Sequence, residues 1–216
     1  MSSSTLIREK SNRVQHDSRQ MTDEQLLLSY RGNGNEMHFT ELERRYRQPL
    51  LCFLRRQIGN ESIAEDVLQA TFMQLHLKCG QFEEGRKVRP WLYRIAMNQA
   101  IDSKRRNRRH ENVSLNQSTS SVDGQSYELV EMVRGECPLP EETLQVDEQR
   151  QSVRKAVGSL PQSLQTIVSL VFFQGLKYRE AAETLSIPVG TLKSRMHSAL
   201  LQLRSEWPEL QFSEAA

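Results

Sequence analysis

The stretch YREAAETLSIPVGTLKSRMHSALLQL, Tyr178 to Leu203, holds two short helical patterns that meet at Ile187-Pro188. In the first, Ala181, Ala182 and Leu185 fall at helical spacing. Pro188 cannot continue that helix but suits the first turn of the next. From Val189 the apolar positions Leu192, Met196, Leu200 and Leu203 recur every three or four residues, leaving Thr191, Lys193, Ser194, Arg195 and His197 to other faces. Two helices joined across so tight a turn fit a helix-turn-helix. Its second helix would carry hydrogen-bond donors and positive charge into a DNA major groove. An ordinary αα-hairpin packed on another element fits the same residues as well.

Outward from this unit, Gly175 closes a helix over Leu164 to Phe173, which restarts the chain at Leu160-Pro161-Gln162 after a helix from Pro140 to Gly158. Between His110 and Leu139 there is no sustained period and there are many turn formers, which predicts a linker, with one brief helical segment around Tyr127 to Val133. Charge is segregated about this boundary. Residues Arg89 to Arg109 carry seven basic side chains (Arg89, Arg94, Lys104, Arg105, Arg106, Arg108, Arg109) against Asp102 alone, whereas Glu111 to Glu148 carry nine acidic ones against Arg134 alone. A basic face is thus followed by an acidic connector that DNA phosphates would repel.

The N-terminal half reads as helices too. Residues 1 to 20 show no period and predict a mobile tail. Thr22 to Gln25 match a capping box that opens a helix through Tyr30, ending at Gly32-Asn33-Gly34. Glu36 to Ile58 carries Phe39, Leu42, Tyr46, Leu50, Phe53 and Leu54 at helical spacing, with Pro49 predicting a kink or break near Arg45 to Gln48. Ser62 to Glu65 match a second capping box, starting a helix to Lys78. Its core face is Ile63, Val67, Leu68, Thr71, Phe72 and Leu75, and on the opposite side lie Asp66, Gln69, Met73 and His76. That second row fits a solvated face, although a methionine in its middle suits a contact surface.

Pro90 opens a helix reading PWLYRIAMNQAIDSKRRNRRH, with a small-residue core face of Leu92, Ile95, Ala96, Gln99, Ala100 and Ser103. Another face lines up Trp91, Arg94, Asn98, Asp102, Arg105 and Arg109. An indole, an amide and guanidinium groups in one row can stack on bases, bond their edges and pair with phosphates, as an unpaired strand requires. A Trp tucked into the core and a basic helix C-terminus favoured by the dipole account for the same residues equally well.

Composition bounds these readings. At 216 residues, 37% hydrophobic and 26% charged, the chain suits one domain or two small ones, and a net charge of +2 does not by itself mark a nucleic-acid binder. Cys52, Cys79 and Cys137 stand far apart with no CxxC pair, which supports neither a disulfide framework nor a zinc knuckle. No apolar run reaches membrane-span length, and the N-terminus lacks a signal-peptide core, so a soluble, cytoplasmic chain without membrane insertion is expected. For an enzyme acting on nucleic acid, the carboxylate pairs Glu83-Glu84 and Glu141-Glu142 lack His or Lys partners at useful spacing. His76 with Cys79 is the nearest approach to a metal pair, and it lacks a third and fourth ligand.

Taken in order, these motifs resemble the extracytoplasmic-function class of the sigma-70 family of bacterial RNA polymerase sigma factors. The segment Ala64-Glu65-Asp66-Val67-Leu68-Gln69 is similar to the family's AEDxxQ motif, with Phe72 following at the usual distance. The run Pro90-Trp91-Leu92-Tyr93-Arg94-Ile95-Ala96, with Asn98 and Asp102, resembles the promoter-melting helix. Leu160-Pro161 and Ile187 to Arg195 complete the set, which covers Thr22 to Arg109 and Val153 to Arg204. The resemblance implies that Asp66, Gln69, Met73 and His76 dock on the clamp helices of the largest polymerase subunit. It implies that Phe82, Trp91, Arg94, Asn98, Asp102, Arg105 and Arg109 engage the −10 element, where a base is captured out of the stack. It implies that Thr191, Lys193, Ser194, Arg195 and His197 read the −35 element.

The expected architecture is therefore all-α: a tail over 1–20, a region 2 domain over 21–110, a flexible acidic linker over 111–138 and a region 4 domain over 139–216. The expected partners are core RNA polymerase and promoter DNA, with no cofactor, no metal and no catalytic residue. An anti-sigma partner is common in the family, and no residue identifies one. A two-domain helix-turn-helix regulator acting without core polymerase is the alternative. Two departures stand out: Ser186 occupies a turn position commonly Gly, and Ser198 stands where many relatives carry a basic residue.

Overall fold

The structure, a computed structural model, describes the backbone of residues 18–115, 153 and 155–206, and the side chains among them apart from 108–115 and 206. No strand occurs among the described residues, and the elements fall into two helical domains.

Helix α1 (Asp23–Asn33) opens on the expected capping box, with Gln25 N–H donating to Thr22 Oγ1 at 3.2 Å and Thr22 N–H donating to Gln25 Oε1 at 2.9 Å. It runs past Tyr30 to Gly34, whose φ of +65° supplies the left-handed stop. Just before it, Arg45 binds the carbonyls of Ser18 and Arg19 at 3.1 and 2.9 Å, so the end of the expected mobile tail is held in place. Residues 1–17 lie outside the described ones.

Helix α2 (Glu36–Ile58) passes Pro49 without a break. The residues around the proline explain why: Tyr46, Leu50, Leu51, Phe53 and Leu54 are all buried, and that packing outweighs one missing backbone bond. Helix α3 (Glu61–Lys78) is capped by Asn60, whose Oδ1 accepts from Ile63 N–H at 3.0 Å. This corrects the capping box expected at Ser62. An Asn two residues earlier caps at least as well as Ser and draws Ser62 into the first turn. Val67, Leu68, Thr71, Phe72 and Leu75 are buried as their spacing predicts.

A 3₁₀ turn, Cys79–Gln81, leads to the loop before α4 (Val88–Leu115). That helix starts two residues ahead of Pro90 and continues past His110 into the stretch expected as linker; residues 116–152, which include the segment around Tyr127 to Val133, lie outside the described ones. Leu92, Ile95, Ala96, Ala100 and Ser103 are buried. Helices α1 to α4 share one core, with α3 packed on both α2 and α4.

The second domain comprises α5 (Gln162–Val168), which runs into a π-helical turn at Ser169–Phe173, then α6 (Tyr178–Thr184) and α7 (Val189–Glu206). Gly175, at φ +66°, ends the turn. Helices α6 and α7 form the helix-turn-helix, whose turn places Ser186 at φ +54°, the conformation a glycine there would take without strain. Leu192, Met196 and Ala199 bury the inner face of α7.

One cysteine departs from expectation. Cys79 is a free thiol, but Cys52 on α2 is disulfide-bonded. The absence of a CxxC spacing says nothing of a bond formed between distant parts of a chain.

Candidate nucleic-acid interface

Three helical faces carry the residues singled out by sequence. On α3, Asp66, Gln69, Met73 and His76 are exposed, and Met73 remains 60% accessible. Leu77, one helical turn beyond Met73, is also exposed and extends the row with a second apolar side chain. His76 is fixed from behind, its Nδ1 hydrogen-bonded to the Tyr30 hydroxyl at 2.5 Å, within a ring cluster that includes Phe39 and Phe72.

On α4, Arg94, Asn98, Asp102 and Arg105 are exposed along one face, Trp91 is half-buried, and the side chain of Arg109 lies outside the described ones. Phe82 does not join them at the surface. It is 2% exposed and packs against the Trp91 ring at 5.2 Å between centroids, filling the core beneath the row. Asp102 Oδ1 lies 4.0 Å from Arg105 Nη1 on the solvent side.

On α7, Lys193, Ser194, Arg195 and His197 are exposed and Thr191 is half-buried. Ser194 Oγ donates to the Thr191 carbonyl at 3.0 Å and Ser198 Oγ to the Ser194 carbonyl at 3.1 Å, so both hydroxyls face back along their own helix. Lys193 and Arg195 make no ion pair with other described residues. Two such cations on the outer face of the second helix suit phosphate or base-edge contact.

The two domains touch, through a set of contacts that sequence reasoning did not anticipate. Helix α6 lies on α4, with Glu183 3.5 Å from Arg94 and 4.0 Å from Arg86. Tyr93, almost fully buried against Phe53, donates its hydroxyl proton to Gln174 Oε1, and Arg89 donates to the Gln174 carbonyl at 3.0 Å. Farther along α2, Gln57 accepts from Gln162 Nε2 at its carbonyl (2.8 Å) and from Thr166 Oγ1 at its side chain (3.0 Å). Glutamines give no periodic or charge signal, so nothing in the sequence marks Gln57 and Gln174 as partners across domains.

Electrostatics near this seam are governed by ion pairs and burial. The Arg44 guanidinium, through its hydrogen bond to Glu41 foremost, and Arg45 beside it hold the Glu41 carboxyl down to about 2. Burial pushes the Tyr46 hydroxyl up, reinforced by its bond to Asp23 Oδ2 at 2.5 Å, and burial likewise raises Tyr93. A cleft of about 500 Å³ opens between the domains beside Arg45, Lys87, Arg89 and Lys177, but Arg45 already pairs with Asp23 and Lys87 with Glu24. No group of three His, Cys, Asp or Glu able to hold a metal occurs among the described residues, and none of their helices is long and apolar enough to cross a membrane.

Known proteins match the same two halves. The family model of sigma-70 region 2 matches residues 42–110, and that of sigma-70, region 4 matches residues 150–203. The ECF RNA polymerase sigma factor SigW of Bacillus subtilis is 28% identical over 177 residues, covering 82% of this chain and 92% of that protein. The ECF RNA polymerase sigma-E factor of Escherichia coli K12 is 29% identical over 182 residues, covering 84% and 92%. Among solved structures, CnrH in complex with the cytosolic domain of CnrY is similar with a TM-score of 0.56 at 21% identity, covering 85% of this chain and 96% of that one. The sigma factor RpoE of Bartonella quintana, solved with the anti-sigma factor NepR, is similar with a TM-score of 0.55 at 23% identity, covering 77% and 96%. These two likenesses concern the fold.

Proposed function

Because the chain belongs to the extracytoplasmic-function class of the sigma-70 family, and so binds core RNA polymerase and directs initiation at promoters, we propose a division of labour among its three exposed faces. Asp66, Gln69, Met73 and His76 on α3 dock on the clamp helices of the largest polymerase subunit. Their common exposure on one face, with an apolar centre, supports this. Trp91, Arg94, Asn98, Asp102, Arg105 and Arg109 on α4 engage the −10 element as a separated strand. Thr191, Lys193, Ser194, Arg195 and His197 on α7 read the −35 element as duplex. Phe82 acts from below, seating the Trp91 ring.

In this reading residues 21–110 and 139–216 are the working domains and 111–138 the connector, the chain acts in the cytoplasm, and phosphodiester chemistry belongs to the polymerase. Melting then draws on binding energy: unstacking a base costs a few kcal/mol, which stacking and phosphate contacts along α4 offset. An anti-sigma factor is part of the same proposal, supported by the exposed pair Phe172 and Phe173 on the π-helical turn, 60% and 45% accessible, whose apolar rings suit a protein surface.

The contact of α6 with α4 bears on how two elements are read. Elements centred about 25 base pairs apart lie about 85 Å apart on B-form DNA at ~3.4 Å per base pair. Helices in contact cannot occupy both, so the closed arrangement belongs to the chain before promoter engagement and α6 must leave α4. Glu183 then gives up Arg94 to the −10 strand. The observation that carries the proposal is the order of the two matched regions along one chain, each with an exposed polar row. Run-off transcription with purified core polymerase tests it: Asp66→Arg should abolish initiation while duplex binding through α7 persists. Intact initiation by that variant would favour a regulator that works without core.

A further inference from the structure

The loop Phe82–Val88, FEEGRKV, enters and leaves the first domain's core through two buried plugs, Phe82 at 2% exposure and Val88 at 0%, while its five central residues are exposed. Arg86 N–H bonds the Glu83 carbonyl at 3.3 Å to close a turn, with Gly85 at φ +85° in its third position. Within the loop the same turn carries one ion pair, Arg86 Nε to Glu83 Oε2 at 2.8 Å, whose exposed side chains leave it worth little against solvent screening.

Helix α1 holds it from both ends. Arg31 Nη1 donates to the Phe82 carbonyl at 2.7 Å and its Nη2 lies 3.5 Å from Glu84 Oε1. At the other end, Glu24 Oε1 accepts from Val88 N–H at 3.3 Å and pairs with Lys87 Nζ at 3.7 Å. Glu24 and Arg31 are seven residues apart, almost two full turns, so they project from one face of α1. The signs are matched at each end: a cation meets a carbonyl and a carboxylate where the loop starts, and a carboxylate meets an N–H and an ammonium where α4 starts.

We propose that Glu24 and Arg31 form a splint that positions the loop and, through the Phe82–Trp91 contact, the first residue of the α4 row, and thereby sets discrimination among −10 sequences. This rests on the reading that α4 engages the −10 element, and it adds the loop that leads into α4 to that contact. Both are positioning residues. Neither needs to touch DNA; each fixes the backbone from which Glu83, Glu84, Arg86 and Trp91 project. A base captured in a pocket is read by atoms that must stay within a few tenths of an ångström of their place, and a loosened loop forfeits part of that readout.

The test uses full-length chain with core polymerase on a promoter obtained by selection from genomic DNA, and measures initiation on that promoter against single-base variants in each element. Arg31→Ala should cut discrimination at the −10 element about fivefold to tenfold, a part of what one base-edge contact provides. Discrimination at the −35 element and affinity for core should stay unchanged. Arg31→Lys, which keeps the charge and one donor, should recover part of the loss, and Glu24→Gln should act in the same direction as Arg31→Ala. A folded Arg31→Ala chain with full −10 discrimination overturns the splint, as does equal relaxation at both elements. Replacing Glu83 to Lys87 by a Gly/Ser loop separates this failure from a deeper one. If that replacement relaxes −10 discrimination and Arg31→Ala does not, only the splint falls; if it leaves discrimination intact, the reading of the loop falls too and the splint with it.

Discussion

Reversing the charge of Glu183 should part α6 from α4. In the closed arrangement its carboxylate lies 3.5 Å from Arg94 and 4.0 Å from Arg86, and all three side chains are about half exposed (58%, 44% and 54%). Solvent screening at that exposure leaves each pair about 0.2–1 kcal/mol. Replacing the carboxylate by an ammonium removes both attractions and adds repulsions of similar size, a swing of about 1–4 kcal/mol. That corresponds to a factor of about 5–900 in the ratio of open to closed chains. The other cross-domain bonds, from Gln57, Tyr93, Arg89 and Thr184, remain in Glu183→Lys, so the shift should be partial. Energy transfer between labels at the exposed Ser62 and Ser205, followed in the free chain, should fall in the variant at low salt. The difference should shrink towards 1 M salt, where the Debye length is about 3 Å. Equal transfer in both proteins at low salt, or a difference that salt does not touch, would refute the argument that Glu183 latches the two domains electrostatically.

Three further outcomes follow from single side chains. Ser186→Gly should stabilise the chain by about 1 kcal/mol, because the serine holds φ +54° at a steric cost that glycine lacks; thermal unfolding of the two proteins measures it. The Glu41 carboxyl, held at about 2 chiefly by Arg44, contributes stability that is present above its unfolded value of about 4.3 and is lost as pH falls through about 2. Acid unfolding of Glu41→Gln should therefore show a shallower loss across that window than the parent, and an identical pH profile would contradict it. Lys193→Ala should weaken −35 binding by about 1–3 kcal/mol if the ammonium meets a base edge, or reduce the salt slope by about one if it meets a phosphate. No change in either quantity would remove Lys193 from the interface.

Helix periodicity carried much of this fold. The core faces of α3 and α4 follow from apolar spacing, and Thr22 caps α1 because its neighbours at 22–25 leave few alternatives. Where expectation and structure part, a stronger local or tertiary term is present. Asn60 displaces Ser62 as a cap, and burial around Pro49 keeps α2 whole. The exposed rows on α3, α4 and α7 were legible because each is the complement of a core face. Phe82 was not, since an aromatic residue in a loop carries no period to say whether it faces inward. The residues that join elements distant in sequence, Gln57 to Thr166, Tyr93 to Gln174, Glu24 and Arg31 to the loop, leave no trace in local pattern. Their pairing exists only once the helices are packed.

In the proposed mechanism one chain reads two promoter elements at once, with α7 on the upstream element and α4 on the downstream one. Initiation by the reconstituted holoenzyme on a promoter whose two elements are intact but separated by about five extra base pairs tests it directly. Half a turn of duplex puts the elements on opposite sides of the helix. Initiation should collapse on this template. With about ten extra base pairs the facing is restored, and initiation should recover only as far as the connector can span the added length. Initiation that is indifferent to the half-turn insertion would mean that the two helices do not engage the same promoter together, and would contradict the account.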